Sequence, residues 1–459
     1  MRSPFFTPLD SVNKKIFRAA LAVALATVAV KAGTAVKDLA VAHSFGRGDT
    51  LDAFLFAFML PAFALNLVVG AVSAALVPVL VETRQKDGVA AGQQLLSGVM
   101  LLTGAALVAV ALLLALLAQF YLPWLGHSFP PQKQLLTREF LYFLAPWLVL
   151  SGLATFMACV LNAIEKFAVP ALVPILTPSA ILLCIAVWAR ASSGFALALG
   201  TVAGSFLEAA LLYYLVKKYQ ILGSLRWHGF DQRVRAVLSQ TGPMMAGCLL
   251  MGAAPVVDQF MAAMLAPGSV AALSYGGKIT TGLLAIGATA LSTAILPYFS
   301  KMAAESDWRG CRHTLKRYVV LVFSAAVPVT LLLFVFSKPL VRVLFQRGAF
   351  TSMDTEVVAQ VQRFYCLQIP FYVLSMLFVR FVSSVRRNDL LMYAAAVNLV
   401  IDIVMNLILM RVWGIAGVAL STSSVALVSS VFLGVCTLRF LSQRAPEALA
   451  AVEAPAGQS

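Results

Sequence analysis

The sequence predicts an all-α, polytopic membrane protein of about twelve transmembrane helices, set as two six-helix lobes around a central cavity. Three observations point there. Of 459 residues, 61% are hydrophobic and only 12% charged, with a mean hydropathy of +0.90; a typical soluble chain is about 25% charged. Apolar runs such as Leu101–Leu122 are long enough for a hydrocarbon core of about 30 Å at 1.5 Å per residue, whereas a β-barrel would alternate apolar and polar residues. The chain also echoes itself. Ser73–Pro78 (SAALVP) returns 219 residues later as Ser292–Pro297 (STAILP), each copy followed by a polar loop and an apolar hairpin. The two copies close spans that run the same way through a bilayer, as parallel repeats do.

Twelve spans follow in order: 16–44, 51–82, 94–122, 138–162, 168–189, 194–216, 238–266, 269–300, 315–337, 356–380, 389–411 and 414–439. The first begins after Arg2, Lys14, Lys15 and Arg18 and runs apolar to Ala42, carrying Lys31 on the way, so it reads as a retained helix rather than a cleaved signal. The second opens on Asp52 and contains Pro61; the third holds the leucine-rich run; the fourth and fifth meet near Asn162; the sixth carries Glu208. The polar segment 221–237 links an N-terminal lobe (1–220) to a C-terminal lobe (238–443). In the second lobe the seventh span carries Asp258, the eighth carries Gly276-Gly277-Lys278, and the eleventh carries Asn398, Asp402 and Asn406. Gly33, Pro61 and Gly276-Gly277 mark possible bends, although glycine also serves close packing. Residues 444–459, rich in Ala, Pro and Glu, read as a disordered tail.

With the N-terminus inside, 22 of the 34 Lys and Arg fall in inner segments and 9 at outer ones, leaving Lys31, Lys37 and Lys278 within spans. That bias places both termini in the cytoplasm. The net charge of +15 lies mostly between apolar runs, so it reads as topology signal and contact with anionic lipid rather than nucleic-acid binding. The six cysteines are scattered, with no CxxC and no His/Cys cluster, which argues against a disulfide framework or zinc site. No Walker A motif is present and nothing suggests bond-breaking chemistry, so the chain reads as a transporter and not an enzyme.

An ammonium inside a bilayer costs roughly 2.5–3.5 kcal/mol even on the gentlest scale. Lys31 and Lys278 therefore point to a cationic chamber and an anionic cargo; neutralisation by Asp258, Asp38 or backbone carbonyls is the structural alternative. Lys37 is either a further substrate contact or a snorkelling lysine. Asp38 is a gate or charge partner, or an intrahelical partner. Asp52 is a gate residue or an acid favoured by the dipole at a helix start. Asp258 is a charge partner or a cation site. Asn398, Asp402 and Asn406, spaced by four, make one polar stripe that could bind a monovalent coupling ion or bond neighbouring helices. Glu208 is a lone intramembrane acid, protonated or locally paired on the plainer reading.

Several stretches resemble one known family. Phe45-Gly46-Arg47-Gly48-Asp49-Thr50-Leu51-Asp52-Ala53-Phe54, with Leu60-Pro61 and Val77-Pro78, resembles the start of the MurJ/MviN-type lipid II flippases. Leu161-Asn162-Ala163 with Phe167-Ala168-Val169-Pro170-Ala171-Leu172 and Pro174 is similar to that family's fourth-to-fifth helix junction. Gly268-Ser269-Val270, Tyr275 and Lys278 resemble the eighth helix, and Leu344 to Thr351 (LFQRGAFT) the outer loop after the ninth. The matches run in order over about 30–440. The resemblance implies membership of the multidrug/oligosaccharidyl-lipid/polysaccharide exporter superfamily, alternating access, and an undecaprenyl-pyrophosphate-linked sugar as cargo, moved from the inner to the outer leaflet of the bacterial inner membrane. It implies a pyrophosphate on Lys31, Lys278 and Lys37. With no Walker A motif, the expected drive is the membrane potential or a coupling monovalent cation.

The chain departs from the pattern. Lys31, Lys37 and Lys278 stand where the family usually has arginines, and Ala64-Leu65-Asn66 with Val69 stands where an arginine pair and a glutamate are expected. The family's two further C-terminal helices have no counterpart here. Two rivals stay open: a multidrug/cation antiporter of the same superfamily, and a non-transporting membrane partner of a glycan synthase or polymerase.

Overall fold

The computed structural model describes residues 9–188, 194–385 and 387–453. Arg2, Arg190 and Arg386 of the charge tally lie outside those ranges, as do residues 454–459 of the tail. In order the helices are α1 (Leu9–Phe45), α2 (Asp49–Lys86), α3 (Gly88–Leu125), α4 (Pro131–Ala163), α5 (Ala168–Leu172), α6 (Leu176–Val187), α7 (Phe195–Lys218), α8 (Gln232–Ala263), α9 (Ser269–Ala304), α10 (Trp308–Val335), α11 (Ser337–Phe345), α12 (Ser352–Cys366), α13 (Ile369–Ser384), α14 (Asn388–Trp413) and α15 (Ile415–Glu453). A 3-10 turn at Val173–Ile175 joins α5 to α6.

Each of the twelve expected spans is helical. Among the described residues ten segments are long and apolar enough to cross a membrane, with α5–α6 and α12–α13 each forming one of them. The other two expected spans are occupied by α1 and α9. Helix faces carry the apolar side chains that a bilayer requires: Leu112, Leu116 and Phe120 of α3, and Val320, Leu331 and Val335 of α10, are exposed on the protein.

Local chemistry explains the ends. Gly48, in extended conformation, precedes α2, whose first turn holds Asp49 and Asp52 and whose last holds Arg84 and Lys86, each sign matching the helix dipole. Thr351 and Asp354 form a reciprocal capping box at α12. Asp307 accepts from Gly310 N at 2.8 Å to start α10. The fifth span breaks into α5 and α6 because Pro170, Pro174 and Pro178, four residues apart, each lack an amide donor.

Two elements differ from the sequence expectation. α11 is a short helix in what reads as loop, because Val341 and Phe345 bury one side of it. Beyond Arg444 the chain stays helical to Glu453 instead of becoming a disordered tail; Ala, Leu and Glu there are strong helix formers.

The chain forms two compact units, Met1–Gly252 with Arg347–Ala349, and Ala253–Gln346 with Phe350–Ser459. The division falls inside α8 and not in segment 221–237, since that segment is strapped to α3. Ser97 Oγ donates to Arg226 O at 2.8 Å, Arg233 Nε meets Asp87 Oδ2, just before α3, at 3.0 Å, and beside the segment Gln93 Nε2 donates to Gln220 O at 2.7 Å. In the first unit α2 packs on α3 and α4, α4 on α7, α6 on α7, and α1 on α5 and α6. In the second, α9 packs on α12 and α13, both of which meet α15, and α14 lies along α15. The first copy of the sequence echo ends α2; the second lies in α9, where side chains other than Ile295 are outside the described set.

Candidate functional site

The lysines of α1 differ in their surroundings. Lys37 Nζ pairs with Asp38 Oδ1 at 2.7 Å, so Asp38 neutralises its neighbour on the same helix. Lys31 lies on an exposed strip of α1 with Val28, Ala32 and Ala35, and among the described residues no carboxylate pairs with it. Thr34, on the same face, satisfies its hydroxyl by donating to Val30 O at 2.8 Å. Between the two lysines Gly33 lets α1 approach the α5–α6 break: a Cβ there would stand 3.4 Å from Ile175 Cγ1. Lys278, in the other unit, is half-buried on α9. It follows Gly276 and Gly277, which admit Val361 and Tyr365 against the helix backbone.

A buried polar cluster occupies the second unit. Asp258 of α8 accepts from Asn406 Nδ2 of α14 at 2.9 Å and from Thr422 Oγ1 of α15 at 3.2 Å. Asp402, one turn before Asn406, accepts from Ser421 Oγ at 3.4 Å. The Tyr365 phenol lies beside Thr422 and both carboxylates. Asp258, Asp402 and Asn406 are all buried. Asp402 Oδ2 and Asn406 Oδ1 have no hydrogen-bond partner among the described residues. Two carboxylates, an amide oxygen and hydroxyls are the hard oxygen donors that a monovalent cation takes. The cluster thus joins Asp258 to two members of the polar stripe. Asn398 is not part of it and donates to Ser429 Oγ at 3.1 Å instead. Among the described residues no group of three or more His, Cys, Asp or Glu could hold a metal.

Asp52 has a partner that the sequence did not indicate. Lys133 Nζ, at the start of α4, bonds Asp52 Oδ2 and Asp49 Oδ1, each at 2.8 Å, and lies 4.2 Å from the Phe129 ring centroid. All four residues belong to the first unit. Sequence reasoning also missed Ser421, Thr422 and Tyr365. The run Ser421-Thr422-Ser423-Ser424 inside an apolar span was the available signal for the first two, because hydroxyls at membrane depth need partners.

The family model described as lipid II flippase MurJ matches residues 41–452. The chain belongs to the lipid II flippase MurJ family. This is a family of transporters and not of enzymes, and the chain is a multi-pass bacterial membrane protein. Among MurJ relatives, a "Probable lipid II flippase MurJ" of Bdellovibrio bacteriovorus is 25% identical over 441 residues, covering 93% of this chain and 82% of the relative. Another from Vibrio cholerae is 26% identical over 439 residues, covering 92% and 83%. A solved structure of "Lipid II flippase MurJ, inward closed conformation" superposes with a TM-score of 0.80 at 21% identity, covering 93% of this chain and 90% of that one. A multidrug resistance MATE family transporter of the MOP superfamily, in its inward-facing conformation, gives 0.73 at 10% identity over 89% and 94%. These two likenesses speak to the fold alone.

Proposed function

We propose that this MurJ family chain flips a lipid-linked pyrophosphate glycan, lipid II or a close chemical relative, from the inner to the outer leaflet of the cytoplasmic membrane by alternating access. The observation that carries the reading is the family match across 41–452, which takes in both compact units. The charge pattern supports it. Lys31, Lys37 and Lys278 offer ammonium groups suited to an anionic headgroup, as point charges without arginine's bidentate fork. Both termini lie in the cytoplasm, as the bias of Lys and Arg between loops favours.

Drive comes from the membrane potential or a monovalent cation. One charge crossing 100 mV is worth about 2.3 kcal/mol. Asp258, Asp402, Asn406 and Thr422 would hold the cation, and the two unpartnered oxygens on Asp402 and Asn406 fit that role. Asn398, bonded to Ser429, supports α14 against α15. A glycan synthase or polymerase that consumes the flipped lipid is the protein partner.

The test is translocation of a fluorescent polyprenyl-pyrophosphate-linked sugar by purified protein in liposomes. Wild type is expected to move it, and the double variant Lys31→Ala, Lys278→Ala to lose most of the rate. An unchanged rate in that variant ends the anionic-cargo reading. Transport of cationic drugs in place of the lipid would indicate an antiporter.

A further inference from the structure

Glu208 sits in the middle of α7 with no described cation beside it. A carboxylate in an apolar span is costly unless its neighbours supply donors. The neighbours here are both from Thr177: its amide donates to Glu208 Oε1 at 3.2 Å and its hydroxyl to the same oxygen at 2.6 Å. Thr177 is in the first turn of α6, where backbone amides look for acceptors outside their own helix. Glu208 therefore caps a broken membrane helix from a neighbouring one, its Oε1 accepting from both the amide and the hydroxyl of Thr177.

Two glycines allow this. A Cβ at Gly204 would lie 2.5 Å from Thr177 Cα, and one at Gly200 would lie 2.6 Å from Ile181 Cα. Backbones of α6 and α7 are thus nearly in contact, and Glu208, one turn beyond Gly204, is brought within reach of Thr177. The capped segment is also the seat of α1. Gly33 packs against Ile175 and Pro178, on either side of Thr177, and Lys31 is two residues from Gly33.

We propose that Glu208 is a positioning residue for Lys31: by fixing the start of α6 through Thr177, it sets the seat of α1 and hence where the Lys31 ammonium meets a pyrophosphate. This rests on the anionic-cargo reading above. Without the carboxylate, the Thr177 hydroxyl can turn back to a carbonyl of its own helix and the start of α6 is released. Glutamine keeps an acceptor oxygen in the same place; leucine keeps the bulk without it.

The experiment measures binding of undecaprenyl pyrophosphate to full-length protein in nanodiscs as a double-mutant cycle. Lys31→Ala is expected to weaken binding about tenfold and Glu208→Leu about fivefold, with Glu208→Gln within about twofold of wild type. In the Lys31→Ala background, Glu208→Leu is expected to add nothing, because the ammonium it positions is gone. A loss that adds fully in that background, or no loss from Glu208→Leu alone, overturns the positioning role. Should Glu208→Leu fail to fold, Thr177→Val removes one of the two donors and enters the same cycle, with a loss of about twofold expected. If Lys31→Ala weakens binding and neither Glu208→Leu nor Thr177→Val does, only the positioning role falls. If Lys31→Ala has no effect, the anionic-cargo reading falls and takes this inference with it.

Discussion

Lys133 and Asp52 meet at 2.8 Å with side chains only 3% and 2% exposed. The pair ties the start of α4 to the start of α2, and Asp49, 55% exposed, adds a second carboxylate from the same turn of α2. A buried pair of this kind adds little net stability over an apolar replacement, yet breaking it strips a buried carboxylate of the ammonium that compensates it. The Phe129 ring under the ammonium adds a cation–π contact.

Lys133→Met is therefore expected to destabilise the protein by about 3–5 kcal/mol, read as a fall in the thermal midpoint in detergent. Adding Asp52→Leu is expected to restore most of the loss, because the buried carboxylate that has lost its ammonium is removed. A Lys133→Met protein as stable as wild type would mean the site is wet and the pair unimportant.

The two α1 lysines should separate in binding. Lys37 shares its charge with Asp38, whereas Lys31 has no described carboxylate partner. Lys31→Ala is expected to reduce affinity for undecaprenyl pyrophosphate by about 1.4 kcal/mol, a factor of ten, and Lys37→Ala by well under half of that in free energy. Asp38→Asn frees the Lys37 charge and is expected to raise affinity slightly. Equal losses from both alanine variants would contradict the assignment.

The membrane fold was readable in the sequence because runs such as Leu101–Leu122 leave no other structure able to satisfy their backbone. The break between α5 and α6 was less so. Pro170, Pro174 and Pro178 were visible, but nothing in the sequence says that Glu208 would reach across to Thr177. In the polar cluster, Asp258, Asp402 and Asn406 stood out as rare polar groups at membrane depth. Thr422 and Ser421 did not, since a hydroxyl in a span is ordinary until its partner is known. In sequence Lys133 reads as one of the nine charges at outer segments, because a lysine near a helix end carries no mark of burial until its carboxylates are placed. The strap at 221–237 reads as a linker for the same reason: its bonds to Ser97 and Asp87 span over a hundred residues.

The contact of α6 with α7 gives a steric prediction. Gly204→Ala puts a methyl group 2.5 Å from the Thr177 backbone, which cannot move like a side-chain tip. A loss of about 1–3 kcal/mol is expected, with poorer lipid binding as α6 is displaced. Gly242→Ala in α8 is the control: nothing lies within 4 Å of its added methyl. It is expected to be neutral or mildly stabilising, by up to about 1 kcal/mol, because alanine favours helix. Thermal unfolding of both variants in the same detergent checks the pair, and equal midpoints would refute the close approach.

The Asp258 cluster gives a prediction about cations. A ligand that binds only the folded protein stabilises it in proportion to the logarithm of its concentration over its dissociation constant, about 2.7 kcal/mol at a hundredfold excess. If the cluster binds a monovalent cation, one of sodium, lithium or potassium is expected to raise the thermal midpoint of the wild type at constant ionic strength, with choline as the reference salt. Asp258→Asn and Asp402→Asn each remove a charge that the cation would meet and are expected to flatten that response. Asn398→Ala is expected to keep it, because Asn398 bonds Ser429 away from the two carboxylates. Thr422→Val should weaken it, leaving Asp258 with Asn406 as its remaining donor among the described residues. A wild-type midpoint indifferent to all three cations would remove ion coupling at this cluster and leave the membrane potential as the drive.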